Sequence, residues 1–181
     1  MSWQRIRTWA LLHAPAIRVV TLFFGLIVVF FTALTYEPIV ERFDFASLLA
    51  RASAWASWWL LRGLGLFLGW DVTKNGTILG VGSFEVDVSP ACSGAVPTII
   101  YLAAVLAYPA SWRAKMLGAG IGVLVINGLN LLRVVALFLV GLYASRYFHD
   151  THVYVAQALV VGVAVATWLF WAGRFAHAPG R

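Results

Sequence analysis

Charge is what this sequence has least of. Its 181 residues include 13 basic and seven acidic side chains, 11% of the chain, against roughly 25% in a soluble domain. Hydrophobic residues make up 62% and mean hydropathy is +0.87. These figures exclude a water-soluble globular enzyme, a disordered chain and a coiled coil. Cysteine is nearly absent too. Cys92 stands alone, which excludes a disulfide scaffold and leaves a free thiol or a ligand. No G-x-x-x-x-G-K, no H-E-x-x-H and no paired Cys/His spacing occurs. Nucleotide hydrolysis and zinc chemistry are therefore unsupported, and the sequence calls for no metal and no cofactor. What remains is an all-α polytopic membrane protein in the lipid bilayer, with room for about four to six spans of ~20 residues. The net charge of +6 reads as basic cytoplasmic loops facing anionic lipid, with no nucleic-acid partner.

Four apolar runs are predicted to cross the membrane: Ile17–Tyr36, Ala95–Tyr108, Met116–Tyr143 and His152–Trp171. The basic N-terminus looks like a secretory n-region, but the apolar run after it is too long for a cleavable signal. No repeat or low-complexity segment interrupts what reads as one domain over 1–181. The charges sort by side. Glu37, Glu41, Asp44, Asp71, Glu85, Asp87 and Asp150 all fall between the first and second spans or between the third and fourth. Arg5, Arg7, Arg18, Arg113, Lys115, Arg174 and Arg181 occupy the other side, where no acid occurs. Basic loops face the cytoplasm, so segment 37–90 and the loop 146–151 are expected outside.

Within 37–90, Phe45–Trp70 reads as a helix. Arg51, Trp55, Trp58 and Arg62 share one face, which suggests a helix lying in the membrane interface. Its length also allows a transmembrane reading, which would carry Asp71, Glu85 and Asp87 to the cytoplasm and spoil the charge sorting. After it, Lys74-Asn75-Gly76 is a turn signal, and Phe84, Val86 and Val88 alternate with Glu85 and Asp87. A short β-hairpin is expected there, leading into Pro90-Ala91-Cys92-Ser93-Gly94.

Three polar features meet at one expected depth. Cys92 stands where an extracytoplasmic strand meets the start of a membrane helix, whose free N–H groups and dipole favour thiolate. The amides of Ser93 and Gly94 offer an oxyanion site. The competing reading of Cys92 is a small inert hydrophobe. Arg133 lies inside an apolar run, where a charge costs at least ~2.5–3.5 kcal/mol. It follows Lys115 by 18 residues, roughly 27 Å up a helix and level with Cys92. Asn127 and Asn130 precede it at steps of three, able to hold the guanidinium or to line a polar cavity. Snorkelling of Arg133 to the headgroups is the alternative. His149 and His152 stand at the outer mouth of the last span, as an acid/base or as plain interfacial residues. A nucleophile, a charge stabiliser and an acid/base are the parts acyl transfer needs.

At these residues the chain resembles the exosortase/archaeosortase family of integral-membrane sorting enzymes. Ala91-Cys92-Ser93-Gly94 resembles the family's nucleophile motif, Asn130-Leu131-Leu132-Arg133 its Asn-x-x-Arg motif, and His152-Val153-Tyr154-Val155-Ala156-Gln157 the histidine block of one branch. The likeness runs roughly from Phe45 to Trp171 and implies a short, core-only member. It implies Cys92 as nucleophile, Arg133 as charge stabiliser and His152 as acid/base. Another branch places its histidine before an acid, as His149-Asp150 does here, so His149 stays open as the alternative. The implied substrates are secreted proteins bearing a C-terminal signal: a short motif, a hydrophobic span and a basic tail. They would be cut outside the membrane and the acyl group passed to an acceptor. The same Cys-His pair would serve an intramembrane protease that hydrolyses instead. A non-catalytic scaffold or small-solute carrier, with a polar path at Asn127, Asn130 and Arg133, is the other reading. It expects polarity to continue inward, yet no charge lies between Lys115 and Asn127.

The charge sorting makes a direct prediction. A cysteine introduced at Asn75 in a Cys92→Ala background should react with an impermeant maleimide from outside the cell. Labelling from the cytoplasmic side alone would invert the topology.

Overall fold

The computed structural model describes the backbone of residues 3–176 and, Ala91 aside, the side chains of 13–176. Arg181 and the side chains of Arg5 and Arg7, counted above toward the basic side, lie outside the described residues. Helix α1 (Trp3–Thr35) begins earlier than the span expected at Ile17. It runs through Pro15, whose missing N–H forfeits one helical hydrogen bond. A one-turn helix α2 (Glu37–Val40) follows. Asp44 then caps α3 (Phe45–Leu68), accepting the Ser47 N–H at 3.0 Å. Hydrogen bonding from the Ser47 side chain and then its backbone N–H holds the Asp44 carboxyl below the usual carboxylate range. Gly69, in the left-handed region at φ 72°, ends α3 with its N–H on Gly65 O, the ordinary use of glycine at a helix C-terminus.

The buried face of α3 is small: Ala50, Ala54, Ser57, Leu61 and Gly65. These residues seat it closely on a later helix, α5 (Trp112–Tyr143). The arginines point elsewhere. Arg51, Trp55 and Arg62 are exposed, with the Arg62 guanidinium 5.1 Å from the Trp58 ring centroid. Trp58 is half-buried and donates its indole N–H to Val72 O at 3.0 Å.

The polar segment after α3 is a three-stranded antiparallel meander of β1 (Val72–Asn75), β2 (Ile78–Val81) and β3 (Phe84–Asp87), in that order. The sequence suggested one hairpin, and there are two. Each loop has two residues: Gly76-Thr77 between Asn75 and Ile78, and Gly82-Ser83 between Val81 and Phe84. Gly76 (φ 62°) and Gly82 (φ 61°) take the first loop position, and no described non-glycine residue has a positive φ. That is the type II′ pattern, matched to the twist of the strands.

Helix α4 (Ala95–Ala107) is one residue shorter than the span expected there. At 13 residues it extends about 20 Å, less than the ~30 Å hydrocarbon core. It packs among α1, α5 and the last helix, α7 (Ala156–Phe175). A turn, Ser145–Tyr147, a short helix α6 (Phe148–Asp150) and one π-helical turn, Thr151–Val155, lead into α7. Among the described residues, three stretches are long and apolar enough to cross a membrane: His13–Thr35, Trp112–Tyr143 and Ser145–Phe175. The protein is thus an all-α polytopic membrane protein with a small sheet.

Two cores hold it together, at opposite ends of α5. One joins α3, the sheet and the later part of α5 through Leu61, Leu79, Val88, Val134 and Phe138. The other joins α4, α5 and α7 through Tyr101, Val105, Ile126 and Trp171. Glycine makes room in both. A Cβ on Gly122 would overlap the Tyr101 ring, on Gly118 the Trp171 indole, and on Gly141 the Phe84 ring. The aromatic polar tips find backbone partners on α5: Tyr101 OH donates to Gly118 O at 3.0 Å and Trp171 Nε1 to Ala114 O at 2.8 Å. Lys115 Nζ donates to Leu106 O at 2.6 Å, satisfying a carbonyl that α4 leaves open at its C-terminus.

The notches predict a contrast. Gly122→Val should destabilise the folded protein by about 1–3 kcal/mol through overpacking. Gly120→Ala has nothing within 4 Å of its new Cβ and should be neutral. Unfolding midpoints in mixed micelles would show the difference.

Candidate active site

Leaving β3, the chain passes Val88, whose N–H donates to Thr77 O at 3.0 Å, and enters a 3-10 turn, Pro90–Cys92. The turn closes on itself. Cys92 N–H donates to Ser89 O at 2.9 Å and Ser93 N–H to Pro90 O at 3.2 Å. The buried Ser93 hydroxyl donates to Pro90 O at 2.6 Å and accepts the Ala95 N–H at 3.3 Å. Ser93 therefore works as a clamp between the turn and the first residue of α4. Gly94 sits at φ 79°, and a Cβ there would meet the Asn130 amide at 3.2–3.3 Å. Both the dihedral and the close approach call for glycine.

Asn130 explains that approach. Its Nδ2 donates to Cys92 O at 2.8 Å, pinning the turn to α5 across 38 residues of sequence. Sequence reasoning gave Asn127 and Asn130 to the guanidinium or to a polar cavity. The bonds go elsewhere: Asn127 donates to Thr98 Oγ1 at 3.3 Å and to Val123 O at 2.8 Å. Further along α5, the Tyr101 and Trp171 rings fill the glycine notches. The polar stretch ends in packed aromatics.

The Cys92 thiol is half-buried, and His152 Nε2 lies 3.9 Å from its Sγ. This contact joins residues 60 apart in the chain. His152 stands in the π-helical turn, and its ring stacks on Phe148 at 6.0 Å with planes 12° apart. The π turn rotates a helix face locally and is common at functional sites. His149 is exposed. Arg133, one turn along α5 from Asn130, is half-buried with its Nε enclosed.

Five buried polar side-chain atoms among the described residues lack a hydrogen-bond partner, and three stand here: Asn130 Oδ1, Arg133 Nε and His152 Nδ1. Unsatisfied buried groups each cost about 1–3 kcal/mol, so their gathering at one place marks a receptor for a polar ligand. A cavity of about 470 Å³ opens over Cys92 and His152, walled by β3, by Leu137 and Gly141 of α5, and by Phe148. Sequence reasoning missed that wall. Its signal was the unbroken alternation from Phe84 to Val88, which runs straight into the cysteine turn.

Three long apolar helices and a small sheet that carries a thiol, an imidazole and a guanidinium to one end of the bundle define a multi-pass membrane protein with a site at a helix end. The chain belongs to the transmembrane exosortase family (exosortase EpsH), whose model matches residues 7–171. At the level of the family it is a membrane sorting transpeptidase. No curated protein and no solved structure matches the chain.

The two histidines are separable. His152→Ala should slow alkylation of Cys92 by iodoacetamide at neutral pH about tenfold, because it removes the base beside the thiol. His149→Ala should leave the rate within twofold. The reverse order would give His149 the partnership with the thiol.

Proposed function

We propose that the protein is a cysteine-dependent transpeptidase that cleaves a C-terminal sorting signal of secreted proteins at the outer face of the cell membrane. It passes the acyl group to an acceptor. The observation that carries this reading is the 3.9 Å approach of Cys92 Sγ and His152 Nε2 in a chain of the exosortase family. The charge sorting supports the sidedness. The Tyr108–Lys115 turn and Arg174 lie at the end of the bundle opposite to Cys92, and basic ends face the cytoplasm.

The chemistry follows from the groups present. His152 takes the thiol proton, and the thiolate attacks the scissile carbonyl. Negative charge develops on the carbonyl oxygen, and Arg133 stabilises it. Of the two amides considered for that oxygen, Ser93 N–H is already engaged with Pro90 O, which leaves Gly94 N–H to share it with Arg133. His152 returns its proton to the leaving amine, and the C–N bond breaks. An acceptor amine then attacks the thioester and regenerates the thiol. Water in the same place would give hydrolysis.

A second feature suits a substrate with its own hydrophobic span. An almost wholly apolar groove of about 630 Å³ lies between α1, α4 and α7. It begins at Val96 and Gln157, a few residues from Cys92 and His152, and continues to Ala107 and Trp168. A span resting there would present the residues before it to the thiol.

Co-expression with secreted proteins that carry C-terminal spans tests the proposal, with loss of the span as the readout. Cys92→Ala should abolish processing while the protein still inserts, and Cys92→Ser should rescue little, because a hydroxyl ionises far less readily. Arg133→Lys should lower the rate ~10²–10³-fold, since an ammonium lacks the paired donors of a guanidinium. Full processing by Cys92→Ala would end the transpeptidase reading.

A further inference from the structure

β3 is an edge strand, since β2 pairs with it on one side and the sheet ends there. Which of its backbone groups face the open side follows from the register. Val81 and Phe84 flank a two-residue loop and so form a hydrogen-bonded pair. Pairs alternate along an antiparallel ladder. Phe84, Val86 and Val88 therefore direct their N–H and C=O groups at β2, as the bond from Val88 N–H to Thr77 O attests. Glu85 and Asp87 direct theirs outward.

That open edge forms one wall of the cavity over Cys92. Six consecutive residues, Phe84 to Ser89, line it, while no residue of β2 does. Across the gap stand Leu137, Phe148 and His152. An uncovered strand edge with free donors and acceptors is a template for another strand. Here the template leads directly into the nucleophile turn.

We infer that the open edge of β3 binds the substrate's recognition segment as an added antiparallel or parallel strand, paired through Glu85 and Asp87, so that its scissile carbonyl reaches Cys92. The inference rests on the proposed acyl-transfer function. From Glu85 to Ser89 the edge extends ~13 Å, enough to hold about four extended residues. Pairing through the main chain sets the register, and alternate side chains set specificity. On one face of the added strand they meet the half-buried Phe84 and Val86 with Leu137 and Phe148, which favours small or apolar residues. On the other they pass the exposed Glu85 and Asp87 carboxylates.

Peptide electrophiles test this on the full-length protein in micelles. The probes are acetyl-tripeptide chloromethyl ketones of alanine and valine, each also made with one peptide nitrogen methylated in turn. The thiolate displaces chloride, forming one S–C bond, and mass spectrometry reads Cys92 alkylation. Iodoacetamide on the same protein reports the thiol alone. The parent peptides should outpace iodoacetamide at least tenfold, after correction for their reactivity toward glutathione. Methylation should slow them about fivefold, the loss of one hydrogen bond, at alternate nitrogens and not between them. Glu85→Pro, which removes an outward N–H, should erase the peptide advantage while iodoacetamide still reacts at the original rate. Equal effects of methylation at every nitrogen, or none at any, would overturn the strand-addition proposal and leave the thiol chemistry standing. A Cys92 inert to every probe would instead remove the thiol reading, and this proposal with it.

Discussion

One hydrogen bond organises the site: Asn130 Nδ2 to the carbonyl of Cys92, 2.8 Å long. The chain breaks there between a strand and a membrane helix, and irregular backbone near hydrocarbon must find partners within the protein. The turn satisfies most of its own groups through Ser89, Pro90 and Ser93. The Cys92 carbonyl points outward from the turn, and α5 reaches across to meet it. Gly94 is the counterpart, because it holds φ 79° and a Cβ there would press on Asn130 at 3.2–3.3 Å. The Ala91-Cys92-Ser93-Gly94 and Asn130-Leu131-Leu132-Arg133 motifs are thus two halves of one contact. Asn130 fixes the turn that carries the thiol, and Arg133 lies one turn further along α5.

Helix α5 serves opposite purposes at its two ends. Toward its start, glycines 118 and 122 admit aromatic rings, and packing, with hydrogen bonds through Tyr101, Lys115 and Trp171, joins α4 and α7 to it. Toward its end it carries Asn127, Asn130 and Arg133, and the helices part into a cavity. Dispersion and burial at the first end can stabilise the bundle against the cost of polar groups held open at the second. Buried donors and acceptors without partners weaken a fold, and they persist where function needs them.

Much of this was legible in the sequence. Long apolar runs mark α1, α5 and α7 because lipid demands them, and α5 ends at Tyr143 as expected. Cys92, Arg133 and His152 stood out because each is the wrong kind of residue for its apolar surroundings. Other features had no such signal. The π turn that carries His152 depends on how α6 and α7 pack, and no residue type announces it. The partner of Asn130 is a backbone carbonyl, which sequence does not distinguish from any other, so the asparagines read only as holding Arg133 or lining a polar cavity. The second hairpin loop was readable: Gly82-Ser83 between alternating residues is the same signal as Gly76-Thr77, only obscured by the short strands. The apolar run of α4 was legible to within one residue, although a run flanked by turn residues looks the same whether it crosses lipid or is buried among neighbours.

The edge of β3 and the orphaned atoms at Asn130, Arg133 and His152 pose one physical problem from two sides. Each is a set of hydrogen-bonding groups left without a partner near a membrane surface, where water is scarce and unpaired edges invite association. Folding alone gives no reason to keep them. On the proposed reading, a substrate that arrives as an extended strand, with a carbonyl at its end, would offer partners to the strand edge and to the Arg133 donor in the same step. Its main chain would pair with Glu85 and Asp87, and its carbonyl oxygen would accept from the guanidinium as charge develops. Binding then satisfies groups that the free protein leaves open, and the binding free energy is concentrated where the reaction needs it, in the transition state rather than in the resting complex.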